Sequence, residues 1–399
     1  GGNVVMQASQ GIFLDTGSII DTGGGDIDIV NNVDFDGTNL VFDADGIPVT
    51  SGATGNFSGV KLSDATVDSG GGDIRLAGVG GTNDSSESRN NGVDILSNSA
   101  IDTGGGKLSI AGAGGDQGNA DGVGIIYSDV FAGPGDMEIN GRSGQTSGDA
   151  RGVFVEDSNL SSDALIDLFG QSLGEGNYSR GIEVVGNSFI SQGPDGGGIS
   201  MTGIGSNNVF TETIGNDGVV LDGFADVFGG IGGVSIKGVE GDPNISNAFS
   251  IAVNGDAIVD AQNGGNLLFE AIGKDNGMPD LYLGGEASNV VIGGPGTETI
   301  ELITNTIDSN AAYEGLSMFI ETVDANAPIK IGPGDPATEL NLDNNFFSAL
   351  QAGGISSVAI GDLDDNFSGT IEIESLDVGS SISFNTLGTI DITGPIEGI

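Results

Sequence analysis

The sequence predicts an all-β chain wound as a right-handed parallel β-helix, a three-sided solenoid of roughly 13 coils. Three observations predict it. Short segments alternate apolar and polar residues, so each has one buried and one solvated face. Glycines precede one class of these segments at a nearly constant interval of about 30 residues. No stretch holds a 3.6-residue apolar period over three turns, which argues against helices.

The segments fall into three sets. One begins Gly25-Asp26-Ile27-Asp28-Ile29, Gly72-Asp73-Ile74-Arg75-Leu76 and Gly106-Lys107-Leu108-Ser109-Ile110, and recurs at Gly135, Gly198, Gly233 and Gly265. A second reads Gly59-Val60-Lys61-Leu62, Gly92-Val93-Asp94-Ile95, Gly122-Val123-Gly124-Ile125, Gly152-Val153-Phe154-Val155, Gly181-Ile182-Glu183-Val184 and Gly218-Val219-Val220-Leu221. A third follows a few residues later: Ala100-Ile101, Val130-Phe131, Asn159-Leu160, Phe189-Ile190, Val227-Phe228 and Ile258-Val259. The second set is the clock. Its glycines at 92, 122, 152 and 181 step by 30, 30 and 29, and the step of 37 to Gly218 implies a loop insertion.

Three short strands per period cannot bury their inward residues alone, but stacked coils place Ile on Ile and Val on Val. Coils that wind the same way pair in parallel, and the crossover rule sets a right hand. Glycines at the corners supply positive φ for sharp turns. At about 4.8 Å per coil the rod is roughly 60 Å long. A β-propeller would need four strands per blade and hairpin turns, and Asn-Gly hairpins are scarce. Residues 1–280 carry the Gly-rich coils. Over 281–399 the clock fades, and Val290-Val291-Ile292-Gly293, Ile329-Lys330-Ile331-Gly332 and Val358-Ala359-Ile360-Gly361 suggest the same column continuing with a second repeat type.

Composition narrows the function. Ten Lys+Arg oppose 57 Asp+Glu, a net charge of −47, and Cys, His and Trp are absent. Such a charge repels nucleic acid and anionic lipid. No apolar run approaches the roughly 18 residues of a membrane helix, so membrane insertion is not expected. Thiolate and imidazole chemistry, disulfides and a Ser-His-Asp triad are excluded. Disorder is the expectation for many acidic, Gly-rich chains, but 37% hydrophobic residues in a regular pattern argue for folding. The chain opens on Gly1 without Met or a signal peptide, which reads as a processed or excised piece.

Several motifs resemble the repeats of filamentous-haemagglutinin-type bacterial exoproteins. They are Leu340-Asn341-Leu342, Phe346-Phe347-Ser348-Ala349-Leu350, Gly353-Gly354-Ile355, Val358-Ala359-Ile360-Gly361 and Gly369-Thr370-Ile371-Glu372-Ile373. The opening Gly2-Asn3-Val4-Val5-Met6-Gln7-Ala8 and the Asp-Thr/Ser-Gly-Gly-Gly units at Asp21, Asp68 and Asp102 are similar to that family's long repeat regions. The resemblance implies a right-handed parallel β-helix, export to the bacterial surface by two-partner secretion or autotransport, and a role in adhesion, surface fibres or biofilm.

Candidate chemistry is sparse. With 57 acids a chance carboxylate pair is certain, so acids alone do not indicate a glycosidase. The ten cations scatter, with no cluster beyond Arg142 and Arg151, and no enzymatic activity is expected. Calcium is an optional ligand: Asp34 with Asp36, Asp43 with Asp45, and Asp362 with Asp364 put hard oxygens two residues apart on turns. No EF-hand Glu follows them, and solvated acidic turns are the simpler account. No cofactor is required. Paired asparagines at Asn90-Asn91, Asn207-Asn208 and Asn344-Asn345 read as turn chemistry rather than inward amide ladders. The 18 Phe read as core or as packing under corner loops. The expected function is a structural subunit of an extracellular fibre that stacks head to tail through uncapped ends. The alternative is a surface adhesin whose lateral loops, around Asp34–Gly55 and Asn83–Asn91, bind polysaccharide.

Overall fold

The structure is a computed structural model describing residues 1–33, 41–49, 54–82, 90–116, 119–145, 148–176, 178–207, 215–241, 248–274, 278–285, 288–333, 339–361 and 367–398. Three long sheets of 13, 10 and 10 strands dominate it. Each sheet takes one of the three sequence sets, so consecutive segments occupy different faces and every third strand returns to the first. Neighbouring strands within the sheets pair in parallel. The 13 strands of the first sheet match the coil count that the 30-residue clock predicts.

Register explains the alternation. On the second sheet Ile95 pairs with Ile125, Ile125 with Val155 and Val155 with Val184, and all four are completely buried. On the third, Ile101, Val130, Leu160 and Ile190 stack in the same way. One continuous apolar cluster runs from Ile20 to Leu376. Burying each Ile, Leu or Val contributes roughly 1.5–3 kcal/mol against the entropy of ordering a coil.

The clock glycines serve close approach rather than positive φ. None of Gly92, Gly122, Gly152 and Gly181 has φ > 0. At Gly122 a Cβ would stand 2.3 Å from the Arg142 nitrogen, and at Gly112 it would stand 2.0 Å from the Gly122 oxygen. In five successive coils the first and second strands therefore touch backbone to backbone with glycine at both positions: Gly78 with Gly92, Gly112 with Gly122, Gly141 with Gly152, Gly170 with Gly181, and Gly203 with Gly218. Positive φ concentrates at another corner, in Gly23-Gly24, Gly70-Gly71 and Gly104-Gly105.

The last third differs from the expected second repeat. Val291–Gly293 belongs to the third sheet, Ile329–Ile331 to a separate four-stranded sheet and Ser357–Gly361 to the first. A period-2 pattern ending in Gly fits any face, so their likeness marks no common position. The four-stranded sheet runs Leu340–Leu342, Ile329–Ile331, Ile371–Ile373, Ile390–Ile392, so the chain steps back before continuing. The following helix, α1 (Asn344–Ala352), packs between Ala312–Glu314 and Leu376–Val378, where a strand of the third face would otherwise lie. Asp343 caps it, and Phe346 meets Tyr313 edge-on at 5.4 Å. At nine residues α1 is shorter than the three turns a periodicity test needs.

Because coils support only their neighbours, a cavity in mid-column weakens the whole stack. Ile125→Ala is expected to cost about 2–5 kcal/mol, read as a lower denaturation midpoint in urea. An unchanged midpoint would contradict the stacked core.

Candidate functional site

The residue before each clock glycine forms a column along the second face. It reads Ser58, Asn91, Asp121, Arg151, Arg180 and Asp217. Asp94 and Glu183, outward in the middle of their strands, flank it and are almost wholly buried. Ser58 Oγ donates to Asp94 at 2.6 Å, Asn91 Nδ2 to Asp94 at 2.5 Å, and the Asp121 N–H to Asn91 at 2.8 Å. Arg151 Nε donates to Glu183 at 2.6 Å, while its Nη1 lies 3.8 Å from Asp121. Arg180 pairs with Glu183 and, through Nε at 3.0 Å, with Asp217. Arg151 also stacks over Phe154 at 4.5 Å.

The electrostatics follow from burial. Burial opposes the Arg151 charge, but Asp121 and Glu183 outweigh it and hold its pKa above the ordinary guanidinium value. Burial pushes the Asp217 carboxyl upward, and Arg180 only partly pulls it back. Six coils are thus tied by one low-dielectric row of four carboxylates and two guanidiniums. Removing one partner leaves the others buried and uncompensated.

A second arrangement runs throughout. Carboxylates accept backbone N–H groups from the coil that follows them in sequence. Asp26 accepts from Asp73 at 3.1 Å, Asp73 from Lys107 at 2.8 Å, and Asp121 from Arg151 at 2.8 Å. Asp157 accepts from Asn187 at 2.8 Å, Asp217 from Phe249 at 2.8 Å and Asp226 from Ile258 at 3.0 Å. Each of these bonds runs forward. These six carboxylates are therefore structural: each accepts from an amide of the next coil. Corner hydroxyls form ladders of their own. Ser158 Oγ accepts from the Ser128 N–H at 3.0 Å, and Thr103 Oγ1 donates to the Gly106 and Ala132 carbonyls at 2.7 and 2.9 Å.

Of the expected calcium pairs, Asp34, Asp36, Asp362 and Asp364 lie outside the described residues. Asp43 and Asp45 sit in a small hairpin, where Phe42 bridges Pro48 antiparallel and the Val49 N–H donates to Val41. Asp43 Oδ1 accepts the Asp45 and Ile47 N–H groups at 3.1 and 3.0 Å, and Oδ2 pairs with Arg142 at 2.5 Å. Asp43 therefore folds and anchors the hairpin, and Asp45 is exposed. Ile47 is completely buried against Val30, Ala77 and Ala113 on the outer side of the first sheet. Beside the hairpin lies a cleft of about 370 Å³ lined by Pro48, Val79, Gly114, Arg142 and Leu173. Among the described residues no three acids gather as a metal cluster.

The charged column was missed because its members are chemically mixed. Its signal is positional: Asn, Asp, Arg, Arg, Asp in the slot before successive clock glycines. Phe154, Phe269, Phe346, Phe347 and Phe367 are buried, as expected of core phenylalanines, but four others differ. Phe13, Phe131, Phe189 and Phe224 are 37–54% exposed, at outward positions that no described loop covers. No family model, curated protein or solved structure matches this chain.

Arg151→Met should remove on the order of 3 kcal/mol, measured by urea denaturation, and Glu183→Gln in that background should recover part of it. A cost within 0.5 kcal/mol would refute coupling through the row. The pH response has a definite sign. Burial raises the carboxyl pKa values of Asp217, Asp226 and Glu301 in the folded state. Folded protein then binds protons more readily than unfolded, so stability rises as pH falls from 7 toward about 5. Glu138, lowered chiefly by its hydrogen bond to Lys107, opposes this only below the ordinary carboxylate range. Thermal melts should therefore move upward over that interval; a downward shift would contradict the assignment.

Proposed function

We propose that the chain is a structural subunit of an extracellular surface fibre, extended by a second copy stacking on its terminal coil. The observation that carries this reading is the end geometry. Ile390 and Ile392 pair in register with the fully buried Ile371 and Ile373, yet are themselves 43% and 54% exposed. At the other end Val4, Met6, Ile12 and Leu14 are only partly covered. Both surfaces carry apolar strand residues of the kind that inner coils bury against one another. Addition there is heterologous and does not close, so it yields a filament. The likeness of the repeats to filamentous-haemagglutinin-type exoproteins supports the same reading and the bacterial surface as its place.

A second reading, an adhesin for neutral polysaccharide, is favoured by the exposed Phe131, Phe189 and Phe224. They stand on or beside the uncovered third face, where sugar rings can stack. Glycan-array binding that survives Arg142→Ala but fails in Phe131→Ala/Phe189→Ala would establish it.

The fibre reading is tested by sedimentation velocity and negative-stain imaging of the 399-residue chain. End-to-end polymers one rod wide are expected, and Ile392→Asp should reduce the polymerised fraction at least tenfold at equal protein concentration. Monodisperse monomers at high concentration, with calcium present, would overturn it.

A further inference from the structure

We propose that two copies join in one fixed register, with Val4 and Met6 of one copy over Ile382 and Phe384 of the other, and Ile12 and Leu14 over Ile390 and Ile392. The proposal rests on the fibre reading and adds to it the residues that meet. The last described coil keeps all three faces. Ser381–Asn385 ends the first sheet. Ile390–Ile392 ends the four-stranded sheet, which continues the second face because its Leu340–Leu342 packs beside Ile307–Ser309. Ile396–Gly398 pairs with Leu376–Val378, which packs on α1 at the third face. The first coil has the same three faces in Val4–Ala8, Ile12–Leu14 and Ile19–Asp21.

The observation that sets the register is a shared spacing. Pairing within the chain shows which residues of each coil belong to the core columns. Val4 and Met6 pair with Ile27 and Ile29, and Ile12 and Leu14 with Val60 and Leu62, all four of these partners being fully buried. Ile382 and Phe384 pair with the buried Val358 and Ile360, and Ile390 and Ile392 with the buried Ile371 and Ile373. Along the sequence Val4, Met6, Ile12 and Leu14 step by 2, 6 and 2, and Ile382, Phe384, Ile390 and Ile392 step by 2, 6 and 2. Both coils thus turn the corner between the first and second faces in the same number of residues. A parallel joint that sets Val4 over Ile382 sets the other three pairs as well. A slip of one residue would put these side chains over outward positions, and a slip of two would leave one of them unmatched on each face.

Charge favours the same joint. Copies that each carry −47 repel one another, so a contact between them is best made where acids are few. Residues 3–14 hold no charged side chain, and residues 381–392 hold only Asp391. In the proposed register the outward pairs are Val5 over Ser383, Gln7 over Asn385 and Phe13 over Asp391. No carboxylate faces another on either face, and the apolar residues left half-covered in each coil cover one another.

The absence of Cys makes the register measurable by introduced thiols. Register partners on neighbouring parallel strands stand about 4.8 Å apart, within reach of a disulfide, whereas a pair two residues out of register stands on the order of 8 Å apart and beyond it. Val5 and Ser383 are both exposed and outward, so neither substitution opens the core. Full-length Val5→Cys chain is mixed with full-length Ser383→Cys chain under mild oxidation, and disulfides are read on non-reducing gels and by peptide mass. A link between positions 5 and 383 is expected, at least tenfold more abundant than the link from Val5→Cys mixed with Asn385→Cys. Gln7→Cys mixed with Asn385→Cys restores the register and should link as well, which keeps the test open if Val5→Cys destabilises the first strand. Polymers in which the in-register and out-of-register pairs link alike would overturn the register and leave the fibre reading standing. A parent chain that forms no polymers, with no pair linking above the level of a Tyr127→Cys control, would overturn both.

Discussion

Parallel register between successive coils is the constraint on which everything else rests. A residue in one coil must lie over its counterpart in the next, so positions become columns, most of one chemistry and one of alternating charge. Apolar columns make the core, glycine columns make the pinched corners, and hydroxyl columns satisfy corner carbonyls. Isolated coils could do none of this, because each would expose two unpaired strand edges. The cooperativity is local in space and remote in sequence: bonded partners stand about 30 residues apart in the regular part.

Charge is accommodated by the same rule. A net −47 would ordinarily press a compact chain apart. Here many carboxylates are fixed acceptors for amides, and two guanidiniums stand where acids are buried on both sides. Arg151 and Arg180 hold Asp121, Glu183 and Asp217 out of water. Arg142 instead ties an excursion to the rod through Asp43. The cations are few, and several have a definite architectural task.

What was legible in the sequence was what repeats with a single chemistry. Val93, Val123, Val153 and Ile182 share both spacing and type, so the second face could be read directly. The row before them could not, because Asn91, Asp121, Arg151 and Arg180 share position and differ in chemistry. Helix α1 escaped because two and a half turns carry too few apolar residues to set a period, and its Phe346 and Phe347 pack as well in a strand. The segments near 291, 329 and 358 looked alike for the opposite reason: alternation records which side is buried and not which face of the prism it is on.

The carboxylate-to-amide bonds give the column a direction. Along these bonds the earlier coil supplies the carboxylate acceptor and its successor the amide donor, whereas corner hydroxyls such as Ser158 accept from the coil before them. The rod is therefore a polar object in the sense of an arrow, with chemically unlike tips. Two such objects meeting tip to tip would set carboxylates against carboxylates, and base to base would set amide donors against donors, so stacking in a single sense of travel is the matched arrangement.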